Sequence, residues 1–291
     1  MTVDPIVALE SLGYTEREAA FLYLVAIHSG YFLRRQFDYF IDRNRGGTVM
    51  RFLEKARIQG YVQFFDCAHG RQVYHLFHKS IYRMLGVPDS QNRRVKGDGD
   101  VRARLMKLDY VLENGSERFL ESDEEKWRFF SSIRGIDPRA FSSAGEGLWP
   151  ALRFLLISLA DRMHTAYSLV RFVFVDEGLL TTTKFERVLT TLGPLVRSVG
   201  YFELVYVALS ENNFQEAAAI FRKQFSGDAK MRQATLNPNW QRNVAQAQPS
   251  STEPLRPQFT TVLYRFHYPS LRRNELRCSA GCSASTSEVA Q

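Results

Sequence analysis

With 291 residues, 45% of them hydrophobic and 24% charged, the chain has the composition of an ordinary globular protein with room for two modest domains, which excludes a wholly disordered chain. Its 38 Lys and Arg against 31 Asp and Glu give a net charge of +7, which favours polyanionic partners without naming one. Three scattered cysteines make no disulfide framework, the N-terminus lacks a basic-then-apolar leader, and the longest apolar runs, Phe21 to Ile27 and Phe154 to Ala160, are too short to span a bilayer, so a cytoplasmic protein with no membrane partner is expected.

Thr15 followed three places later by Glu18 forms a capping-box pair, and it opens the apolar run from Ala19 to Ile27 that ends at Ser29-Gly30. A short helix that is apolar nearly all round must be sandwiched by other elements. Tyr31 to Ile41 reads as a second helix, broken at Asn44-Arg45-Gly46-Gly47. Thr48 to Gln59 then spaces Val49, Phe52, Leu53 and Ala56 along one helical face, with Gly60 as the stop. Tyr61 to Phe65 and Gln72 to Leu76 are strand-like, and the polar stretch Asp66 to Arg71 between them suits a hairpin loop. Three helices followed by a hairpin spell a winged helix-turn-helix over residues 1–86.

Charge placement points to DNA. Between Tyr31 and Gly60 seven basic residues (Arg34, Arg35, Arg43, Arg45, Arg51, Lys55, Arg57) face three acidic ones (Asp38, Asp42, Glu54). Thr48, Arg51 and Lys55 fall three and four apart on the third helix, away from its apolar stripe. Such a helix could enter the major groove of double-stranded DNA, with Arg45, Thr48, Arg51 and Lys55 at the groove and Arg34, Arg35 and Arg71 on phosphates. A winged helix that recruits another protein has the same outline, because a fold does not dictate its task.

Residues 87–149 are expected to be linker and connecting helices: Val87 to Val101 is rich in Pro, Gly, Asp, Asn and Arg, an amphipathic helix follows to Asn114-Gly115, and a further helix covers Glu117 to Phe130. Residues 150–226 read as a small α/β domain. Leu169 to Val175 is apolar enough for a central strand, Thr183 to Val196 carries one apolar helical face, and Phe202 to Leu209 is another strand, which together predict a parallel strand-helix-strand core. A last helix begins near Asn213. Beyond Gly227 the chain loses periodicity, and residues 227–291 are expected to be a mostly irregular tail with one strand-like island, Thr260 to Phe266, and arginines (Arg256, Arg265, Arg272, Arg273) that suit nonspecific DNA contact. The predicted fold class is therefore α+β.

Parallel strands deliver functional groups at their carboxyl ends, which makes Asp176 and Glu177 the candidate catalytic carboxylates of a metal-dependent nuclease. No Glu-x-Lys follows them, so capping of the strand end by polar side chains is the plainer expectation. Cys67, His69, His75 and His78 lack a CxxC partner, and Cys278 and Cys282 complete no tetrahedral site, so neither metal nor cofactor is expected.

Val73-Tyr74-His75-Leu76 in the second hairpin strand and Val173-Phe174-Val175-Asp176-Glu177-Gly178 at the later strand end give the chain its resemblance to the replication-relaxation family of plasmid and mobile-element proteins, over about residues 9–225. The resemblance implies a winged helix joined to a domain distantly like restriction endonucleases, with roles in plasmid replication or DNA relaxation, and replication or relaxase proteins as partners. The missing Glu-x-Lys departs from an active endonuclease core and implies an inactive relic used for contacts. The expected function is DNA binding in replication, relaxation or transcription control, with a homodimer on paired half-sites. A nuclease and a protein-recruiting adaptor stand as alternatives.

Overall fold

The protein is mixed α/β, and the computed structural model describes residues 4–41, 46–67, 71–133, 152, 155–160, 169–178, 182–199, 202–225 and 258–264. It divides into two compact units, with the division between Leu112 and Glu113. Among the described residues no helix is long and apolar enough to cross a membrane.

The N-terminal unit opens with α1 (Pro5–Glu10) and α2 (Glu16–His28). The capping box that begins α2 is complete: the Glu18 amide bonds Thr15 Oγ1 at 3.4 Å and the Glu18 carboxylate accepts from the Thr15 amide at 2.9 Å. The helix ends at Gly30, whose φ of +79° lets the chain reverse into β1 (Tyr31–Phe32). Two residues that suggested helix are thus strand, paired with His75 and Tyr74, and α3 spans only Arg34–Phe40. After α3 come α4 (Gly46–Ile58) and the hairpin of β2 (Val62–Asp66) and β3 (Gln72–Leu76), giving a three-stranded antiparallel sheet in the order β1-β3-β2. Phe21, Phe37 and Phe52 meet at its core, with ring centroids 4.1 to 6.0 Å apart. Sequence pattern gave no sign of α1 or of α5 (Lys79–Met84).

Residues 87–112 belong to this unit rather than to a linker. A single turn at Gln91–Arg93 carries Asn92, whose side-chain amide donates to the Ala26 and Ile27 carbonyls at 2.9 and 2.7 Å, taking up carbonyls that the end of α2 leaves unpaired. The helix α6 (Asp98–Glu113) then docks by two polar clamps. Arg104 donates to the Ser29 carbonyl at 2.7 Å and to Asn92, and Gln36, fully buried, donates to the Leu105 carbonyl at 2.9 Å.

The second unit holds a five-stranded sheet in the order β4-β5-β6-β7-β8, built from Arg118–Phe119, Leu156–Ala160, Leu169–Asp176, Phe202–Ala208 and Gln258–Leu263. The strands β6, β7 and β8 run parallel, and β4 and β5 complete the sheet in antiparallel fashion. Helices α8 (Thr183–Val199) and α9 (Phe214–Phe225) contribute Phe185, Leu189, Leu192 and Phe221 to the core, against Val170, Phe172 and Phe174 of β6. The sheet therefore reaches beyond residues 150–226 at both ends: the Glu117 to Phe130 stretch supplies β4 and a shorter helix, α7 (Asp123–Arg128), and the strand-like island of the tail is β8, paired with β7. Arg171, on the opposite side of β6 from Phe172, pairs with Glu117 and, at 2.8 Å, with Glu203, so the one basic residue of that strand is matched by carboxylates.

Candidate nucleic-acid interface

Helix α4 follows from its sequence directly. Val49, Phe52, Leu53 and Ala56 are buried, and about 100° per residue then fixes what faces out. Gly47, Arg51, Glu54 and Ile58 lie within about 40° of the direction opposite that stripe, whereas Thr48 and Lys55 lie roughly 70° to 90° to one side and Met50 and Arg57 as far to the other. The structure agrees. Met50, Arg51, Glu54, Arg57 and Ile58 are exposed, and Thr48 is half-buried.

Lys55 turns inward. Its ammonium donates to the Glu18 carboxylate at 2.5 Å and to the Gly13 carbonyl at 3.1 Å, and it lies 5.3 Å from the centre of the Tyr14 ring. The same carboxylate that closes the capping box of α2 thereby holds α4, which makes Lys55 a brace between two helices rather than a hand held out to a groove. Arg35 is likewise engaged: its guanidinium forks onto the Asp109 carboxylate with two bonds of 2.7 Å, tying α3 to α6. Of the expected phosphate contacts, Arg34 stays half-exposed beside Asp38 at 3.7 Å, and Arg71 is exposed where the chain enters β3. Arg51 reaches back to the Gly47 carbonyl at 3.3 Å and is otherwise at the surface. Arg45 lies outside the described residues, as do His69 and the tail arginines.

Pattern reading weighted the flank of α4 that carries Thr48 and Lys55 and passed over Glu54, Arg57, Met50 and Ile58. The signal for them was present: the centre of the apolar stripe, taken as the reference direction, already points Arg51, Glu54 and Ile58 outward. Glu54 and Arg57 form an exposed pair, with Arg57 Nη2 2.8 Å and Nε 3.1 Å from the two carboxylate oxygens, and this fork holds the Glu54 carboxyl below its ordinary range.

The second candidate, the end of β6, is closed upon itself. Asp176 accepts from Tyr206 Oη at 2.5 Å, Asn213 Nδ2 at 3.1 Å and the Gly178 amide at 2.9 Å, and burial together with that carboxylate pushes the Tyr206 hydroxyl pKa well up. Glu177 accepts from Lys184 at 3.2 Å. Both carboxylates are buried, and among the described residues no group of three or more His, Cys, Asp or Glu is placed to hold a metal ion. Asp176 and Glu177 are thus brought to one strand end, where Asp176 accepts three bonds from within the fold and Glu177 pairs with Lys184. His75 is also consumed internally: Gln63 Nε2 lies 3.0 Å from Nδ1, the Asn92 carbonyl 3.2 Å from Nε2, and the Tyr31 ring stacks on it at 4.1 Å.

No family model, curated protein or solved structure matches this chain.

Proposed function

We propose that the N-terminal unit is a winged helix that binds double-stranded DNA, with α4 laid in the major groove and the β2–β3 hairpin as the wing. The order helix, strand, helix, helix, hairpin with the sheet arranged β1-β3-β2 supports the fold reading. The observation that carries the functional reading is Arg51, exposed at the centre of the outward face of α4, in a unit that also leaves Arg34 and Arg71 at its surface. A guanidinium in that position can fork onto guanine O6 and N7, and the other two suit phosphates. Lys55 and Arg35 drop out of the contact set, because their charges are already matched inside the unit. The β6 strand end enters as structure, with no chemistry assigned to Asp176 or Glu177. A role in plasmid or mobile-element replication, relaxation or transcription control, as a homodimer or beside relaxase proteins, is the part of the reading that rests on the sequence resemblance alone.

The test is duplex binding by anisotropy across a salt series. Binding should weaken steeply as salt rises, and Arg51→Ala should lower affinity about ten-fold or more while leaving the unfolding midpoint unchanged. Absence of duplex binding at low salt, or affinity indifferent to salt, would end the proposal. It would favour docking onto another polypeptide, for which Ile58, 74% exposed at the end of α4, is the supporting observation.

A further inference from the structure

The outward face of α4 is not uniformly basic, and its acidic member occupies a telling place. Glu54 follows Arg51 by three residues, about 4.5 Å along the helix axis, so the two side chains can address neighbouring base pairs. A bare carboxylate would be repelled by the phosphates that line a groove, but Glu54 is not bare. Arg57 forks onto it with bonds of 2.8 and 3.1 Å, cancelling its charge locally. Each carboxylate oxygen accepts one bond there and keeps a second acceptor position, while Arg57 keeps three of its five donors. The pair has little to contribute to stability, since its two side chains are 50% and 56% exposed and sit three apart on one helix, where water and salt screen such ion pairs.

Resting on the reading of α4 as the helix that enters the groove, we infer that Glu54 is a base-reading residue selecting cytosine, accepting from the exocyclic N4 amino group beside the guanine bound by Arg51, with Arg57 as the neutralising clasp that turns spare donors to phosphate. Carboxylates accept from cytosine N4 and find no donor on guanine or thymine in the major groove, and at adenine the N6 donor stands beside the N7 acceptor, which repels a carboxylate and leaves cytosine as the better match.

Selection of bound sequences from a random duplex pool tests this with the full chain, its Glu54→Gln variant and its Arg57→Gln variant, each first shown by circular dichroism to be folded. The wild type should enrich a motif with a fixed cytosine next to a guanine. Glu54→Gln should exchange that cytosine for adenine, whose N6 and N7 a Gln amide matches, with relative preference at that position changed about ten-fold or more. Arg57→Gln should weaken all sequences alike and keep the cytosine. A Glu54→Gln motif identical to the wild-type motif, or loss of all duplex binding by that variant, overturns the inference and leaves the DNA-binding reading standing, as does a wild type that binds duplex yet enriches no motif. A wild type that binds no duplex takes both down.

Discussion

On one side of the N-terminal unit Arg35 and Arg104 are absorbed into the protein, and on another Arg51 and Arg71 are left at the surface. The absorbed pair lies along the seam where residues 87–112 pack: Asp109 takes the Arg35 fork, and Ser29 and Asn92 take Arg104, whose pKa burial lowers. The surface pair belongs to α4 and the hairpin, the elements proposed to meet DNA. All four are arginines of the same unit, yet the donors of Arg35 and Arg104 are taken up by buried acceptors, whereas Arg51, with one bond to the Gly47 carbonyl, and Arg71 stay exposed and can contribute to an outward field. A count of basic residues overstates a binding face until the internal pairs are removed, and here that removes Arg35 and Lys55 from it.

The harshest way to break the comparison is to open the seam. An added Cβ at Gly30 would sit 2.0 Å from the Asn92 carbonyl oxygen, and φ there is +79°, a region that disfavours L side chains. The obstacle is backbone, so no rotamer change relieves it. Gly30→Ala should cost on the order of 4 kcal/mol, read as a lower urea midpoint. An unchanged midpoint would mean that the Asn92 turn is not held against α2, and the division between closed seam and open face would dissolve.

A milder probe uses the same seam without mutation. Burial lowers the His75 pKa from 6.5 to about 4, with the Arg104 and Lys96 charges adding to it against the bond to the Asn92 carbonyl. The folded state thus holds the ring neutral where the unfolded chain protonates it. Above pH 6.5 the group adds no pH dependence, and as pH falls from 6.5 towards 4 the unfolded state binds the extra proton, so stability is lost, by about 3 kcal/mol at pH 4. Ring-proton NMR should show no His75 titration midpoint near 6.5. A midpoint there would place the ring in water and the seam ajar.

The two regions also differ in how far the sequence discloses them. The face of α4 is written in local periodicity: four apolar residues within eight positions set its orientation, and Arg51 follows. The seam is written nowhere locally. Asn92 sits in a stretch of Gln, Asn, Arg and Gly that looks like exposed linker, and its partners Ala26 and Ile27 lie 66 and 65 residues earlier. The same holds at the end of β6, where Asp176 and Glu177 are legible as strand-end carboxylates but the groups that saturate Asp176, Tyr206 and Asn213, come 30 and 37 residues later. Two-residue strands fall below any pattern: Tyr31 and Phe32 pair with β3 because Gly30 turns the chain onto it, and two residues are too few to show an alternation. Periodicity reports which face an element buries, and it is silent on which polar groups find partners after folding.

The finest test sets one arginine from each region side by side. Arg35→Ala removes the fork onto the Asp109 carboxylate, which is only 5% exposed, and losing that charged partner should cost about 2 kcal/mol when the lost cation was itself one-third exposed. Arg71→Ala removes an exposed side chain, which should shift stability by less than about 0.5 kcal/mol. Their effects on duplex affinity should run in the opposite order. Loss of a phosphate contact at Arg71 should reduce the slope of log affinity against log salt by about 1, uniformly across sequences, whereas Arg35→Ala should leave that slope alone at temperatures where the protein stays folded. Equal slopes for wild type and Arg71→Ala would take the hairpin out of the interface and leave α4 to bind alone. A reduced slope for Arg35→Ala would mean that its fork onto Asp109 opens when DNA arrives, and the line drawn between seam and face would have to move.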